Sequence, residues 1–557
     1  MPGRHAAAEA RPRRRGRSLV ILAVVLALLV PTAAYIGIRE FGPAAAEQAA
    51  SCQGSLRIHV SAAPEIAGSL KSIVERVDQA KVSVDGACVA FDVSAESPRD
   101  VFTRLSGGDS TDIPDLWVPD TWEWVSRTGI AQDRLLSLSP SVASSPLVLA
   151  TTQSDAENLG KNADNWSTLA TAGNMALADA EKSGVALSAL LGIRRSLSGT
   201  PEEARSTLGT ILLRLNKDRV DDLDVELDQA SRENGLRHGV PATEQQVLSY
   251  TKENAGADLV PVAPKNGTVL LDYPLVAVVQ DKARAPRIIE AGATLMRYVD
   301  DAKGRAAFRK AGFRDYRDLA PASQGEGVGE VKALPPVTLQ DADDVLRSWA
   351  AMSLESRLLA VVDVSGSMAA AAGSRNRIEL ARDAAGTAFS YFPDKGEVGL
   401  WAFSENRNGN RDYVQLSPTG ALTPKHRGEL KNALDKLPGQ IRGGTGLYDT
   451  FLAAYRTAQS GFDSSRVNSL VLLTDGRDED SAGISMNQLI STLKTEADAA
   501  RPIAVILVGI GPEADLAALQ QIANTTGGRA YRAKNATDME DIIIDALLRR
   551  QCGSACS

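Results

Sequence analysis

Residues 358–368 read LLAVVDVSGSM, five apolar residues that run directly into an Asp-x-Ser-x-Ser turn. A short apolar run bounded by a turn signal is typical of a buried parallel strand. In an open α/β sheet, ligands bind just beyond the carboxyl ends of the strands. The stretch therefore predicts that Asp363, Ser365 and Ser367 present one carboxylate and two hydroxyls at the binding edge of such a sheet.

Two later stretches end at the same predicted edge. The loop GGTG, residues 443–446, opens a helical pattern and offers the hydroxyl of Thr445. A second buried strand, SLVLLTDG at 469–476, ends at Asp475. Such hard oxygen ligands suit Mg²⁺, Mn²⁺ or Ca²⁺ rather than metals that prefer thiolate or imidazole. The alternative is that these residues are ordinary helix caps and turn residues.

Together these motifs resemble the von Willebrand factor A (VWA) family and its metal-ion-dependent adhesion site. That family uses Asp-x-Ser-x-Ser, a Thr in a later loop and an Asp after the next core strand. WAFS at residues 401–404 matches the family's strand between them. The resemblance implies a Rossmann-like, doubly wound α/β domain over residues 353–550. It also implies the metal ligands Asp363, Ser365, Ser367, Thr445 and Asp475.

The same resemblance implies a mode of binding. Some contacts to the cation, Mg²⁺ or else Mn²⁺ or Ca²⁺, are direct and others run through water. A carboxylate from a protein partner then takes the open position on the ion. The acidic run Arg477–Asp480 directly follows Asp475 and is either a second cation site or a solvated loop.

The N-terminus predicts a membrane anchor. An Arg-rich tail at 1–17 precedes an uncharged run at 18–38, which is long enough to span a bilayer. Positive charge before the span places the N-terminus in the cytoplasm and everything after a tether at 39–52 outside, as a single-pass protein of the cell membrane. The alternative is a cleaved signal peptide, with its apolar core at 19–30.

The four cysteines agree with export. Cys52 lies just before one predicted strand and Cys88 opens the next. Neighbouring parallel strands place both at one end of a sheet, so we expect a Cys52–Cys88 disulfide. Cys552 and Cys556 lie in a short tail, 551–557, and their pairing stays open. A zinc site is not expected, since the histidines are scattered.

Strand and helix patterns alternate over residues 53–318, and this region resembles the bacterial extracellular solute-binding proteins of ABC importers. The matching stretches are SAAP at 61–64, PDLWVPD at 114–120, SSPLVLA at 144–150, PATEQ at 241–245 and GFR at 312–314. The resemblance implies a two-lobed, type 2 periplasmic-binding-protein-like domain. One lobe is 53 to about 145 plus about 265 to 318, and the other lies between them. Residues 319–352 form the predicted linker, whose Trp349 and Met352 are expected to dock on the following domain.

By position in that family, six residues are candidates for holding a small solute in the interlobe cleft. Its members often hold an oxyanion with strand-end hydroxyls and helix N-termini. Each candidate also has a structural alternative as a cap or a core residue, and no basic cluster marks an anion site. The candidates are Ser61, Ala62, Thr121, Ser145, Glu244 and Tyr273.

Composition and motifs favour binding over catalysis. The net charge of −8 and the absence of a basic, aromatic-rich face argue against nucleic-acid binding. No phosphate loop, nucleophile elbow or neighbouring histidine accompanies Asp363, so we expect no enzyme activity. The favoured hypothesis is a membrane-anchored protein that binds a partner through a cation and senses a ligand, or carries a second binding platform, in its first domain. The alternative is an ABC-importer receptor with an accessory VWA domain.

Overall fold

The computed structural model describes most of the chain after residue 51. The described residues are 52–107, 112–131, 133–160, 162–172, 175–220, 238–321, 327–336, 338–372 and 375–548. The predicted cytoplasmic tail, membrane span and cysteine-containing C-terminal tail lie outside them. Within the described part, no helix has the length and apolarity needed to cross a bilayer.

The N-terminal domain alternates strands and helices. Its strands are β1 (Ser55–Ala62), β2 (Ser83–Val84), β3 (Ala87–Ala95), β4 (Leu116–Val118), β5 (Leu135–Ser139), β6 (Ser145–Thr151), β7 (Val240–Thr243), β8 (Val260–Val262), β9 (Leu270–Leu271) and β10 (Leu275–Val278). Its helices are α1 (Pro64–Gln79), α2 (Pro98–Gly107), α3 (Trp122–Arg127), α4 (Gln153–Leu159), α5 (Trp166–Ala172), α6 (Gly184–Ser196), α7 (Pro201–Lys217), α8 (Glu244–Glu253), α9 (Ala285–Asp300) and α10 (Ala302–Lys310). Helix α1 shows the local logic: proline opens it, and Ile66, Leu70 and Ile73 recur at helical spacing on its buried face.

These elements form two lobes. The first lobe holds a six-stranded sheet in the order β2-β3-β1-β4-β10-β5, in which β10 is antiparallel to both neighbours. The second lobe is built on β7-β6-β8, with β9 pairing to β6. The chain enters the second lobe at Ser145, as predicted, but returns only after Leu271, later than the predicted position near 265. The delay arises because β9 still pairs with β6 of the second lobe.

A disulfide joins Cys52 to Cys88, with 5.1 Å between their Cα atoms, as predicted. Strands β1 and β3 pair in parallel from Ser55 opposite Cys88, so the two cysteines lie at one end of the sheet.

Reduction of this disulfide is expected to lower the free energy of unfolding of the N-terminal domain by about 2–4 kcal/mol, because a cross-link between distant positions restricts the unfolded chain. The two cysteines are 36 residues apart. Urea unfolding with and without reductant measures the effect. The double variant Cys552→Ser/Cys556→Ser controls for the tail cysteines and should respond to reductant as the wild type does. An unchanged midpoint would contradict the prediction.

A helix, α11 (Leu339–Ser353), occupies the second half of the predicted linker. The indole Nε1 of Trp349 donates to Asp179 Oδ1 at 3.1 Å, and Asn216 Nδ2 donates to the carbonyl of Met352 at 2.5 Å. Both partners belong to the N-terminal domain, so these hydrogen bonds dock the helix on the preceding domain. The helix also contacts the last helix of the following domain, Ala536–Leu548, in agreement with the predicted docking there. Trp349 lies on the buried face of this amphipathic helix, where it is 0% exposed.

The C-terminal domain is built on a six-stranded, mostly parallel sheet with helices around it, and it also contains a separate two-stranded antiparallel sheet. Its strands are β11 (Ser356–Asp363), β12 (Ala371–Ala372), β13 (Arg375–Asn376), β14 (Glu397–Asn408), β15 (Arg411–Ala421), β16 (Val467–Thr474), β17 (Ala504–Ile510) and β18 (Arg529–Ala533). Its helices are α12 (Arg377–Tyr391), α13 (Pro424–Asp435), α14 (Leu447–Ser460), α15 (Met486–Glu496), α16 (Leu516–Thr526) and α17 (Ala536–Leu548), with short 3₁₀ segments at Gly366–Ala369 and Leu437–Gln440.

The strand order β15-β14-β11-β16-β17-β18 places β11 between two parallel neighbours. Asp363 lies opposite Phe403 of β14, and Val362 lies opposite Leu473 of β16. The carboxyl ends of these strands therefore meet at one edge. Strand β15 is the antiparallel edge strand and is 11 residues long.

Candidate functional site

The Asp-x-Ser-x-Ser motif occupies the edge where β11 ends. Asp363 Oδ1 accepts a hydrogen bond from the backbone N–H of Ser365 at 2.7 Å, and Oδ2 accepts one from the hydroxyl of Thr474 at 2.5 Å. Both carboxylate oxygens are thus oriented by neighbours, one from its own turn and one from the end of β16. Asp363 is 0% exposed, so its charge lies inside the protein.

Asp475 joins this group through the two serines. The Oγ atoms of Ser365 and Ser367 are 3.1 Å apart, and the hydroxyl of Ser367 donates to Asp475 Oδ1 at 2.7 Å. Ser365 and Asp475 are buried, whereas Ser367 is exposed. The residues of the two strand ends therefore form one connected set of oxygen atoms, open to solvent on the side of Ser367.

The loop 443–446 brings Thr445 to the same place. The carbonyl of Gly443 accepts a hydrogen bond from the backbone N–H of Gly366 at 2.9 Å, which ties the loop to the serine turn. A Cβ atom on Gly476 would lie 2.9 Å from Thr445 Oγ1 and 3.8 Å from Ser367 Oγ. The glycine after Asp475 thus permits the close approach of these hydroxyls, and all five predicted ligands converge.

The electrostatics of this edge favour a bound cation. Burial raises the pKa of Asp363 to about 6, hydrogen bonds from Thr474 and Ser365 act against the shift, and the charge of Asp475 adds to it. Ionisation of the buried Asp363 carboxyl therefore costs free energy, and a bound positive charge would offset that cost. The donor set consists of carboxylate and hydroxyl oxygens, which suits a hard divalent cation. The residues present fit the predicted ion.

The six solute candidates have different surroundings. Ser61 and Ala62 are buried at the end of β1. The hydroxyl of Thr121 caps α3 by accepting from the N–H of Glu123 at 3.0 Å. That of Ser145 accepts from the N–H of Gln245 at 3.0 Å.

Glu244 and Tyr273 make strong contacts within the protein. Glu244 forms a bidentate ion pair with Arg314, at 2.6 and 2.7 Å, and both side chains are almost wholly buried. The hydroxyl of Tyr273 donates to Glu65 Oε1 at 3.0 Å. Tyr273 therefore lies behind Glu65, a residue that lines the space between the lobes, whereas the contacts of Glu244 are with Arg314 and the backbone of Val328.

A cavity of about 450 Å³ separates the two lobes. The first lobe lines it with Glu65, Asp120 and Trp124, and the second lobe with Asp179, Lys182 and Gly184. A volume of this order accommodates a small organic ligand. The structure therefore contains the cleft that the two-lobed arrangement implies, lined by a different set of residues from the one predicted.

Comparison with known families matches both halves of the chain. Residues 58–314 match the bacterial extracellular solute-binding protein family, and residues 358–544 match the von Willebrand factor type A domain. The chain joins a solute-binding domain to a VWA domain. This combination of domains supports a role for the chain as a binding protein.

Two similar proteins are the uncharacterized proteins MT1884 and Rv1836c of Mycobacterium tuberculosis. Each is 25% identical over 92% of this chain and 80% of its own length. Among solved structures, the periplasmic binding protein AfuA from Actinobacillus pleuropneumoniae, with fructose-6-phosphate bound, is 14% identical and covers 54% of this chain and 98% of its own, with a TM-score of 0.40. A von Willebrand factor type A structure from Catenulispora acidiphila is 19% identical and covers 35% of this chain and 43% of its own, with a TM-score of 0.30.

Arg377 is a residue of the VWA site that the sequence reasoning missed. Its Nη1 donates to Asp475 Oδ2 at 2.8 Å, its Nη2 pairs with Glu513, and the residue is only 7% exposed. Gly511, with φ of +82°, packs against the guanidinium, where a Cβ would lie 3.2 Å from Nε. Arg377 offsets the charge of Asp475, which leaves Asp363 as the carboxylate of the site without a basic partner among the described residues.

A cluster of three carboxylates lies beside the Thr445 loop of the VWA domain. Ligand oxygens of Asp412, Asp449 and Asp480 lie within 4.8 Å of one another. A Cβ on Gly446 would lie 2.4 Å from Asp412 Oδ2, which places the cluster against the same loop. This acidic triad is separate from the five predicted ligands and is a second place where a cation could be tested.

The acidic run after Asp475 supports the Thr445 loop. Asp478 Oδ1 accepts from the N–H groups of Leu447 and Tyr448, at 2.8 and 3.2 Å, at the start of α14. Glu479 Oε2 accepts from the N–H of Thr445 at 3.1 Å. Both carboxylates thus bind backbone donors at a helix N-terminus, where negative charge is favoured. The sequence offered a signal for this role, because acidic residues such as those at 478–480 commonly cap helices.

Proposed function

We propose that this protein is a membrane-anchored, extracytoplasmic binding protein whose VWA domain holds a divalent cation and, through it, a carboxylate of a protein partner. The observation that carries the proposal is the convergence of Asp363, Ser365, Ser367, Thr445 and Asp475 at one sheet edge. Mg²⁺ is the favoured ion, with Mn²⁺ or Ca²⁺ as alternatives of the same chemistry.

The charge balance of the site explains how the cation takes a partner's carboxylate. Asp363 supplies negative charge, while Asp475 is already paired with Arg377. A divalent ion held mainly by hydroxyls and one such carboxylate keeps net positive charge. It therefore attracts a further carboxylate, and a charge-assisted contact in a partly desolvated site is strong. The exposed side of Ser367 is the open approach.

The solute-binding domain senses a ligand in its interlobe cavity or serves as a second binding platform. The alternative is that the chain is the receptor of an ABC-type importer and that its VWA domain is an accessory, which the cavity of about 450 Å³ also accommodates. The importer alternative predicts that Asp363→Asn leaves solute uptake by cells intact while deletion of the whole chain abolishes it. The favoured proposal does not predict this difference in solute uptake between the variant and the deletion.

The proposed location is the cell membrane, with residues 18–38 as a single span, the N-terminus in the cytoplasm and both domains outside. The Cys52–Cys88 disulfide supports the external location, because such bonds persist in oxidising compartments. We propose further that the protein acts by binding and not by catalysis. The described histidines do not surround the site; His426, for example, contacts the carbonyl of Val398 at 2.8 Å.

Mn²⁺ provides a direct test of the open coordination position. Water-proton relaxation is enhanced when a bound Mn²⁺ ion exchanges its waters, and acetate is expected to lower this enhancement by replacing a water. The Asp363→Asn variant should show neither effect. Capture of an envelope protein in Mg²⁺ that is lost in chelator and in the variant would then identify the partner. Bound Mn²⁺ that does not respond to acetate would contradict capture of a carboxylate.

A further inference from the structure

The interlobe cleft contains a buried carboxylate with an unused oxygen. Asp120 follows β4 in the first lobe and is 6% exposed. Its Oδ1 has no hydrogen-bond partner within the described part of the chain, although the residue lines the cavity. A buried acceptor without a donor is costly, because its desolvation is not offset. The site therefore favours a ligand that brings a donor to this oxygen.

Asp120 also occupies the place where an anionic ligand would be expected. It lies against Gly184, the first residue of α6, where a Cβ would come within 2.4 Å of Oδ2 and 2.7 Å of Oδ1. The N-terminus of a helix attracts negative charge, and here the protein's own carboxylate from the opposite lobe faces it. A ligand oxyanion there would be repelled by Glu65 and by the ionised form of Asp120, so the oxyanions common in the family are disfavoured.

The remaining charges around the cavity do not supply a cation to Asp120. Lys182 pairs with Asp179 at 3.3 Å, and Arg99 is an exposed residue of α2. Arg127 stacks over Trp124 on α3 and does not line the cavity. Among the described lining residues, the carboxylates of Glu65, Asp100, Asp120 and Asp179 outnumber the two basic groups. Lys182 is paired and Arg99 is exposed, so negative charge predominates around Asp120.

The protonation of Asp120 is consistent with this arrangement. Burial raises the pKa of its carboxyl well above the usual range, and the charges of Glu65 and Glu123 add to the shift. The indole N–H of Trp124 acts in the opposite direction but lies outside hydrogen-bond geometry. A cationic group in the cavity would favour the ionised form and supply the missing donor at the same time.

We propose that the cleft binds a small organic cation, an amine or ammonium compound, whose charged nitrogen contacts Asp120 between the lobes. The proposal rests on the proposed ligand-sensing role of the solute-binding domain and names the ligand class. Specificity comes from the buried carboxylate on one lobe and the close approach of Gly184 on the other. The cleft thus selects by charge, against phosphate, sulfate and similar anions.

The test is calorimetric titration of the full chain with spermidine and choline, with phosphate and sulfate as anionic probes and glucose as a neutral one. At least one cation is expected to bind saturably, and the anions are not. Asp120→Asn keeps the size of the side chain but not its charge, and it should weaken cation binding at least tenfold. Asp92→Asn, an exposed carboxylate on β3 of the same lobe, is the matched control and should stay within twofold of wild type.

Gly184→Ala provides a second variant that changes no charge. The added Cβ must displace the Asp120 carboxylate, so cation binding should weaken again. Failure of both cations to bind, binding of phosphate, sulfate or glucose instead, or cation binding that Asp120→Asn leaves unchanged would each overturn the proposal. Mg²⁺ titration of the same samples reports separately on the VWA site, which these variants should not affect.

Discussion

Replacing Asp363 by alanine is expected to abolish saturable binding of Mg²⁺ and Mn²⁺ while the VWA domain stays folded. Asp363 supplies both a ligand oxygen and the negative charge that Arg377 does not offset, since the guanidinium pairs with Asp475. Without that charge, a divalent ion would exchange its water shell for hydroxyls and for the Asp475 carboxylate, whose charge Arg377 already offsets, and this does not compensate for dehydration. Calorimetric titration of the full chain measures the loss, and circular dichroism reports the fold.

The fold should survive because burial already disfavours the ionised carboxylate, raising its pKa to about 6. A neutral side chain removes that cost, although alanine also leaves the N–H of Ser365 and the hydroxyl of Thr474 without their acceptor. Asp363→Asn is therefore the gentler second variant, since its amide can bond to both neighbours. In metal-free buffer at neutral pH we expect its thermal stability to be close to that of wild type.

Asp480→Asn is the matched control, because it removes one carboxylate from the acidic triad beside the same loop. If the five converging residues hold the ion, this variant retains the saturable site that Asp363→Ala loses. The opposite pattern, with binding lost in Asp480→Asn and kept in a folded Asp363→Ala, would move the cation to the acidic triad and refute the proposed site.

The convergence of the five candidate ligands was predictable because most of them lie at strand ends. Apolar runs mark β11 and β16, and parallel strands bring their last residues to one edge, so Asp363 and Asp475 had to lie close together. Arg377 was not predictable in the same way. Arg377 is the first residue of α12, and whether its guanidinium is buried depends on the distant carboxylates of Asp475 and Glu513 that it meets.

The cleft shows where the sequence was less informative. The resemblance located the two lobes, but the use of each side chain there depends on how the lobes meet. Thr121 is a cap, as its alternative role suggested, whereas Asp120 beside it faces Gly184 across the cleft. That contact joins positions in different lobes and has no local signature. Trp349 is similar, because the amphipathic pattern of α11 does not say which domain its apolar face will meet.

Glu244→Ala is expected to lower the free energy of unfolding of the solute-binding domain by about 3–5 kcal/mol, the cost of leaving a buried charge without its partner. Glu244 accepts two hydrogen bonds from the guanidinium of Arg314 and one from the N–H of Val328 at 2.8 Å. The pair links the start of α8 in the second lobe to the segment after α10 in the first. Without Glu244, the charge of Arg314, which is 0% exposed, would remain buried and unpaired.

Arg317→Ala supplies the matched control in the same region. Arg317 pairs with Asp300 at 2.6 Å, but both side chains are 38% exposed, so the loss should be below about 1 kcal/mol. Urea unfolding of the full chain measures both variants, and the transition that reductant shifts identifies the domain, since it contains the Cys52–Cys88 disulfide. If both substitutions lowered the free energy of unfolding by the same amount, burial of the Glu244–Arg314 pair would not add to its contribution to stability, and the prediction would be wrong.

The same measurement separates the two roles considered for Glu244. A residue that holds the solute would, when truncated, weaken ligand binding and leave the unliganded domain as stable as before. A residue that joins the lobes would lower stability even without ligand, and Glu244→Ala combined with Arg314→Met should recover part of the loss, because no charge then remains buried alone. The bidentate geometry and near-complete burial of the pair favour the second role, which makes Asp120, and not Glu244, the carboxylate available to a ligand.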